Sequence, residues 1–336
     1  MNSSYLMETK NLTKWFPQRG GLLNRAQTYL KAVDGVTVGV GKGETLGLVG
    51  ESGCGKTTLG RTVMRLTEAT GGGVSFEGTD ISKLNRRELK PFRRKMQMVF
   101  QDPYASLDPR QNVLSALTEP MRIHHVVGSG REAKEFSREL LEKVGLSPDH
   151  LSRFPHEFSG GQRQRIAVAI ALAAKPSFIV LDEPTSSLDV SVQAQVLRLL
   201  QSLKVELGLT YLFISHNLAV VRQMCDRTAV MYLGRIVEYA PTRQIFENPK
   251  HPYTVALLSS VPIPDPRKRS ELAVLKGDVP SAVNIPSGCR FRTRCRYATE
   301  RCALAPPPLV EVEEGHWVEC LYDIDFIQGS KVELRI

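Results

Sequence analysis

Three short apolar runs lie along the chain without alternation of polar and apolar positions. They span residues 44–50 (ETLGLVG), 177–182 (SFIVLD) and 210–216 (TYLFISH). Uninterrupted runs of this length are typical of strands that are buried on both faces of a parallel sheet. Between the second and third runs, apolar residues recur at helical spacing over residues 190–207, and Gly208 follows as a helix-end signal. The pattern predicts an α/β core.

Other segments suggest how the chain is organised. Residues 229–233 and 236–240, separated by Gly234-Arg235, predict a β-hairpin that closes the core. Charged helical segments between the first two predicted strands indicate a helical insertion over about residues 83–176. After residue 240, frequent prolines and weak periodicity indicate a small irregular extension. We therefore expect one domain over residues 1–240 and another over residues 241–336.

Composition excludes several classes of protein. The chain has 336 residues, of which 42% are hydrophobic and 24% charged, as in ordinary globular proteins. Its longest apolar run, residues 166–174, is much shorter than the roughly 18 residues needed to cross a bilayer. The start of the sequence lacks the basic and apolar regions of a secretory signal. We expect a cytoplasmic protein that does not cross a membrane alone.

Charge and cysteine distribution add two expectations. The formal net charge of +9 favours an acidic partner such as a nucleotide, a nucleic acid or an anionic lipid surface. Four of the six cysteines crowd into the last 48 residues. In a reducing compartment such a cluster favours a metal site over disulfides. The clustered residues are Cys289, Cys295, Cys302 and Cys320.

Residues 50–57 (GESGCGKT) match the phosphate-binding motif G-x-x-x-x-G-K-S/T, between a predicted strand and a predicted helix. The glycines allow backbone N–H groups to turn toward phosphates. Lys56 supplies a positive charge to the β- and γ-phosphates, and Thr57 offers its hydroxyl to Mg²⁺. The motif predicts a nucleotide site.

Two further motifs carry chemistry. Asp182 and Glu183 end the second predicted strand, where Asp182 can hold Mg²⁺ and Glu183 can act as the general base for an attacking water. Ser159 precedes a predicted helix and, with two glycines, forms a second anion-binding helix start. A single nucleotide does not require two such helix starts.

Together these motifs resemble those of the ATP-binding subunits of ABC transporters, in order and spacing. In that family two ATPase domains pair head to tail, and each ATP lies between the phosphate loop of one domain and the signature sequence of the other. The resemblance implies an ATPase with catalytic residues Glu183 and His216, and Mg²⁺ held by Thr57, Gln101 and Asp182. It implies that nucleotide is bound by Phe16, Gly50, Ser52, Gly53, Gly55, Lys56, Thr57, Thr58, Gln101, Asp182, Ser159, Gly160, Gly161, Gln162 and Asp189.

Three positions depart from the family's pattern: the signature begins with Phe158 rather than leucine, Asn217 stands where aspartate is usual, and the signature helix lacks an arginine often found there. None of them removes a catalytic group. Phe16 aligns with the aromatic that stacks on adenine, with Trp15 next to it and Tyr29 as another candidate, and core packing remains an alternative.

The residues after position 240 narrow the resemblance to one group of ABC transporters. Residues 248–258 (NPKHPYTVALL) and 288–291 (GCRF) resemble the C-terminal extension of oligopeptide, dipeptide and nickel importer ATPases, and residues 18–29 favour the F-type subunit. Similar extensions hold a four-iron, four-sulfur (4Fe–4S) cluster on four cysteines. The resemblance implies this ligation by Cys289, Cys295, Cys302 and Cys320. Zinc remains an alternative, because the surrounding arginines, among them Arg290 and Arg294, would offset the charge of either metal site. The absence of any metal is a third alternative.

The implied partners are a second, D-type ATPase subunit, two transmembrane permease subunits and an extracytoplasmic solute-binding protein, with no nucleic acid. The implied location is the cytoplasmic face of the inner membrane, as a peripheral subunit, and the implied task is uptake of peptides or a related small solute. Two rival interpretations are an ABC protein acting on nucleic acid, supported by positive charge alone, and a regulatory module without turnover. The presence of Glu183 and His216 argues against the latter.

Overall fold

The computed structural model describes residues 5–18, 28–102, 107–259, 280–325 and 331–334. The strands are β1 (Tyr5–Gln18), β2 (Thr28–Val36), β3 (Gly39–Gly41), β4 (Thr45–Val49), β5 (Gly71–Phe76), β6 (Thr79–Asp80), β7 (Met96–Val99), β8 (Phe178–Asp182), β9 (Thr210–Ile214), β10 (Arg227–Tyr232), β11 (Arg235–Pro241), β12 (Val310–Glu313), β13 (His316–Val318), β14 (Tyr322–Asp325) and β15 (Lys331–Leu334). The α-helices are α1 (Lys56–Val63), α2 (Arg86–Lys95), α3 (Val113–Ile123), α4 (Gly130–Lys143), α5 (Gly160–Leu172), α6 (Val190–Leu207), α7 (Leu218–Met224), α8 (Thr242–Glu247), α9 (Pro252–Ser259) and α10 (Arg301–Leu304).

Two compact units divide the chain, and each combines separate stretches of sequence. The first unit comprises Met1–Met7, Val40–Glu44 and Ser75–Ile214; the second comprises Glu8–Gly39, Thr45–Val74 and Ser215–Ile336. Residues on both sides of position 241 belong to the second unit, and residues 83–176 lie inside the first. The domain bounds expected from the sequence therefore stay a prediction.

The first unit contains the parallel strands β7, β8 and β9. Val99 lies opposite Leu181, and Asp182 lies opposite Ile214. All residues of β8 and β9 are buried, because apolar side chains on both faces of these strands are covered. Helix α6 follows β8 and is capped at its C-terminus by Gly208, whose φ of 63° is left-handed. These elements confirm the predicted α/β class.

The segment predicted as a helical insertion is helical in the structure. It holds α2, α3, α4 and α5 together with β7. Leu117 and Met121 of α3 are fully buried, as is Leu141 of α4. The apolar faces of α3 and α4 therefore pack inside the first unit, while α5 is buried over most of its length.

The second unit contains β4, which pairs in parallel with β10, and β10 pairs with β11 as an antiparallel hairpin. The hairpin turn lies at Leu233-Gly234, one residue before its predicted position. Leu233 has a φ of 42° and Gly234 a φ of 81°. Left-handed φ values at both central positions are characteristic of a type I′ turn, whose twist suits an antiparallel hairpin.

The tail is more regular than its sequence indicates. Strand β13 pairs with β11, with Trp317 opposite Tyr239, and β12 pairs with β13. The expectation of an irregular extension is therefore wrong for residues 310–318. Short strands with few apolar residues are hard to recognise from pattern alone, because their partner strand is distant in sequence. Over the part of the chain that the structure describes, no helix combines the length and apolar character needed to span a bilayer.

A buried carboxylate joins the tail to the hairpin. Glu238 of β11 accepts hydrogen bonds from the backbone N–H groups of Lys250, at 2.6 Å, and His251, at 3.0 Å. His316 Nε2 of β13 lies 2.7 Å from the same carboxylate, and both side chains are fully buried. Because several donors depend on Glu238, its removal leaves polar groups without partners.

We predict that Glu238→Ala lowers the free energy of unfolding by about 3–5 kcal/mol, the usual cost of breaking a buried polar pair. Urea denaturation followed by circular dichroism measures this change. Glu314→Ala, an exposed glutamate between β12 and β13, serves as the control and should leave stability nearly unchanged. Equal stability of the two variants would contradict the structural role of Glu238.

Candidate active site

The phosphate loop, residues 50–57, leads from β4 directly into α1. Gly50 has a φ of 153° and Gly55 a φ of 110°, conformations that other residues rarely adopt. A Cβ atom at Gly50 would lie 2.2 Å from the carbonyl oxygen of Met231, and one at Gly55 would lie 2.0 Å from that of Ala32. Close backbone packing therefore requires glycine at both positions.

Lys56, the first residue of α1, holds its ammonium group within this loop. The residue is 6% exposed. Its Nζ donates hydrogen bonds to the carbonyl oxygens of Gly50, at 2.8 Å, and Glu51, at 3.0 Å. A positive charge beside a helix N-terminus is suited to bind an anion. The other predicted residues of this loop lie at its tip or in the first turn of α1: Ser52, Gly53, Thr57 and Thr58.

His216 directly follows a residue that is hydrogen-bonded to β4. The preceding residue, Ser215, donates its N–H to the carbonyl oxygen of Leu48 at 3.2 Å. Leu48 is the penultimate residue of β4, just before the phosphate loop begins. His216 itself is exposed, so its imidazole is accessible to solvent.

Three aromatic residues near the start of the chain differ in how they are held. The indole Nε1 of Trp15 donates to Asp34 at 2.9 Å, and the Trp15 and Tyr29 rings lie 6.2 Å apart. Phe16 is half-buried in β1, with the Lys14 ammonium 4.8 Å from its ring centre. Phe16 is thus not part of the buried core, which favours its predicted role over core packing.

In the first unit, Gln101 and Glu183 are in direct contact. The Gln101 amide Nε2 donates to Glu183 Oε2 at 3.0 Å. Glu183 has a left-handed φ of 47°, and its N–H donates to the carbonyl oxygen of Ile214 at 2.9 Å. A strained backbone at a polar residue is a common feature of active sites. Asp182, at the end of β8, is 1% exposed.

The signature residues form the N-terminus of α5. Ser159 Oγ accepts from the N–H of Gln162 at 3.3 Å, and Gln162 Oε1 accepts from the N–H of Ser159 at 3.0 Å, which is a capping box. A Cβ at Gly161 would lie 2.3 Å from Val192 Cγ1 of α6, so packing between these helices requires glycine. Gly160 is half-buried, while Ser159 is exposed.

Asp189 immediately precedes α6 and is also exposed; its side chain makes no capping hydrogen bond to this helix. The predicted residues thus fall into two sets. Gln101, Asp182, Glu183, Asp189 and the signature belong to the first unit. The phosphate loop, Phe16 and His216 belong to the second.

The four clustered cysteines line one cavity, together with His251, Phe291 and other residues. Burial, with a smaller contribution from the neighbouring cysteines, raises the pKa of Cys289 to about 12 and that of Cys295 to about 11. Within the described ranges, however, no three His, Cys, Asp or Glu side chains are arranged to hold a metal ion. The donor chemistry fits a metal, whereas the arrangement of the thiols does not. The predicted 4Fe–4S site is therefore not confirmed.

Two tail arginines have other partners than those expected from the sequence. Arg290 forms an ion pair with Asp34 and donates to the Leu233 carbonyl oxygen. Arg294 forms an ion pair with Glu51 of the phosphate loop. Carboxylates therefore already offset both charges, and the role of the tail arginines toward a metal site stays a prediction. Nothing in the motif indicated Glu51, because it occupies a variable position.

Comparisons with known proteins agree with this arrangement. The family model described as ABC transporter matches residues 33–186, and the model described as oligopeptide/dipeptide transporter, C-terminal region, matches residues 237–302. A putative oligopeptide transport ATP-binding protein, YkfD of Bacillus subtilis, is 55% identical over 87% of this chain and 89% of its own. A putative peptide import ATP-binding protein of Brucella ovis is 50% identical over 96% of this chain and 99% of its own.

Solved structures show the same fold. A dimeric ATP-binding cassette, MJ0796, in a post-hydrolysis state with ADP and Pi matches with a TM-score of 0.63 at 28% identity, over 70% of this chain and 99% of its own. Another dimeric structure of MJ0796 matches with a TM-score of 0.62. Identity above 50% over most of both chains shows the family of this protein: it belongs to the ATP-binding proteins of the ABC transporter family that carry the oligopeptide/dipeptide transporter C-terminal region.

Proposed function

We propose that this chain is the ATP-hydrolysing subunit of an ABC importer for peptides. The observation that supports hydrolysis is the hydrogen bond from Gln101 to Glu183, because it directs a carboxylate that immediately follows a buried strand. Peptide import is supported by the relatives, which are named as peptide or oligopeptide transport ATP-binding proteins. Their names favour transport over the nucleic-acid alternative.

The phosphate loop would bind the β- and γ-phosphates through its backbone N–H groups and Lys56. Phe16 is proposed to stack on the adenine. Mg²⁺, when bound, neutralises phosphate charge during hydrolysis. Thr57, Gln101 and Asp182 carry the hydroxyl, amide and carboxylate oxygens that this cation prefers, so the donor set fits it.

Glu183 is proposed to accept the proton of the attacking water, and His216 to contact the γ-phosphate. The capped helix start at Ser159–Gln162 and Asp189 would serve the nucleotide of a partner ATPase subunit, in a head-to-tail dimer. Dimers are described for the cassette MJ0796, which supports pairing. The exposure of Ser159 and Asp189 leaves both accessible to such a partner.

The proposed complex contains this F-type subunit, a second D-type ATPase subunit, two transmembrane permeases and an extracytoplasmic solute-binding protein. One relative is the oligopeptide transport ATP-binding protein AppF of Bacillus subtilis, 50% identical over 95% of this chain, which supports the F-type assignment. In such a complex the chain would be a peripheral subunit at the cytoplasmic face of the inner membrane.

We predict that Glu183→Gln lowers ATP turnover by about 10²- to 10⁴-fold, because the general base is lost. The amide can still accept a hydrogen bond from Gln101, so ATP affinity should be retained. Phosphate release in the assembled complex and equilibrium ATP binding test the two effects. Glu135→Gln, an exposed glutamate on α4, is the control. Turnover above half that of the unsubstituted complex would refute the assignment.

Lys56→Ala should instead raise the dissociation constant for ATP by about 10- to 100-fold, since a charged hydrogen-bond donor to the phosphates is removed. Binding of labelled ATP measures this loss. Lys42→Ala, an exposed lysine just before β4, should bind ATP normally. Unchanged affinity of Lys56→Ala would show that this loop does not bind phosphate.

We also propose that Cys289, Cys295, Cys302 and Cys320 hold a 4Fe–4S cluster, with zinc or no metal as the alternatives. Supporting it are the four thiols that line one cavity, the donor set such clusters use. Binding of all four cysteines to one cluster would close the loops between them. Their side chains would have to turn toward a common centre.

Anaerobically purified protein should then contain about four irons per chain and absorb broadly in the visible range. Cys302→Ser should lose the iron and the absorption, because one ligand is removed, whereas Cys225→Ser, at a buried cysteine outside the cavity, should keep both. Colourless protein with stoichiometric zinc, or without any metal, would exclude the cluster.

A further inference from the structure

Glu51 of the phosphate loop is held by two side chains that lie beyond residue 250. The Arg294 guanidinium donates to both carboxylate oxygens of Glu51, at 2.7 and 3.0 Å. The Tyr253 hydroxyl accepts the backbone N–H of Glu51 at 2.8 Å. The phosphate-binding motif leaves position 51 variable, so it requires neither contact. These contacts are therefore an addition that the C-terminal segment makes to the loop.

Packing fixes both partners of Glu51. The Arg294 side chain is 6% exposed and the Glu51 side chain 23% exposed, so solvent screens their ion pair only weakly. Tyr253 is fully buried, and its ring lies 4.7 Å from that of Tyr232. Phe291 packs against both tyrosine rings, at 5.3 and 5.4 Å. A bidentate arginine pair in such surroundings has one defined geometry.

Glu51 in turn contacts Lys56, the lysine proposed to bind the phosphates. Its carbonyl oxygen accepts a hydrogen bond from Lys56 Nζ at 3.0 Å. One residue thus has its side chain held by Arg294, its N–H by Tyr253 and its carbonyl by Lys56. A shift of Glu51 would therefore change both the path of the loop and the position of the ammonium group.

We propose that Arg294 and Tyr253 are positioning residues for nucleotide binding, which act on the phosphate loop through Glu51. They hold the loop in the shape that receives the β- and γ-phosphates of a nucleoside triphosphate, so that less ordering is needed when the nucleotide binds. This inference rests on the proposed function, because it takes residues 50–57 to be the phosphate site. It assigns to the C-terminal extension a part in ATP affinity that acts through Glu51.

Arg294→Ala in the full chain, within the assembled complex, tests the proposal. The dissociation constant and KM for ATP should rise about tenfold, within the range typical of coupled sites. The value of kcat at saturating ATP should stay within about twofold, because the contact positions the loop and does not take part in the chemical step. Arg294→Lys should recover only part of the affinity, since lysine keeps the charge but lacks the planar fork.

The matched control is Arg296→Ala. Arg294 and Arg296 flank Cys295 on either side, but Arg296 is exposed and contacts Tyr297. Any effect that arises from charge near the cysteine cavity should appear in both variants, whereas an effect through Glu51 should appear only in Arg294→Ala. A double variant with Glu51→Ala and Arg294→Ala should bind ATP no more weakly than Arg294→Ala alone, because both substitutions remove the same ion pair.

Thermal unfolding of each variant separates loop positioning from global instability. ATP affinity of Arg294→Ala within twofold of the unsubstituted protein, an equal loss in Arg296→Ala, or additive losses in the double variant would each overturn the proposal. If Arg294→Ala does not fold, Arg294→Lys and Tyr253→Phe carry the same test. Failure of the unsubstituted protein to bind ATP, or normal binding by Lys56→Ala, would instead refute the proposed function itself.

Discussion

The phosphate loop is confined by close contact with the main chain of neighbouring elements. Gly50 lies against the carbonyl group of Met231 at the end of β10, and Gly55 lies against that of Ala32 in β2, too close in both cases for any Cβ atom. Gly234, in the hairpin turn, donates its N–H to the carbonyl oxygen of Cys54 at 2.9 Å. Backbone atoms cannot move aside as flexible side chains can, so the loop, the hairpin and β2 determine one another's positions.

The C-terminal extension restrains the phosphate loop further, through ion pairs between side chains. Ion pairs from Arg290 to Asp34 and from Arg294 to Glu51 connect it to β2 and to the phosphate loop. Glu238 and His316 fix the added strand β13 on the hairpin. Buried charges are costly unless they are paired, so these contacts require the extension to adopt one arrangement. The extension therefore belongs to the architecture of the second unit and cannot be treated as an appendage.

The first unit carries the proposed hydrolytic residues, Gln101 and Glu183, on elements with equally strict requirements. Glu183 adopts a left-handed conformation immediately after a buried strand, and Gln101 restrains its carboxylate. The signature helix packs on α6 only because Gly161 has no side chain. Its capping box satisfies N–H groups at the helix start, while Ser159 stays exposed. The start of this helix is therefore fixed by packing on one side and accessible to solvent on the other.

Local sequence was sufficient for the α/β class, the buried strands β4, β8 and β9, helix α6 and the phosphate loop, because apolar periodicity and glycine spacing are properties of contiguous residues. It was insufficient for the strands β12 and β13, for the partners of the tail arginines and for the arrangement of the cysteines. Glu51 and Arg294 are 243 positions apart, and Gln101 and Glu183 are 82 apart. Such contacts depend on the path of the whole chain, and no short pattern encodes that path. The sequence by itself therefore determined which groups could perform the chemistry, and only the tertiary structure decided which of them hold one another in place.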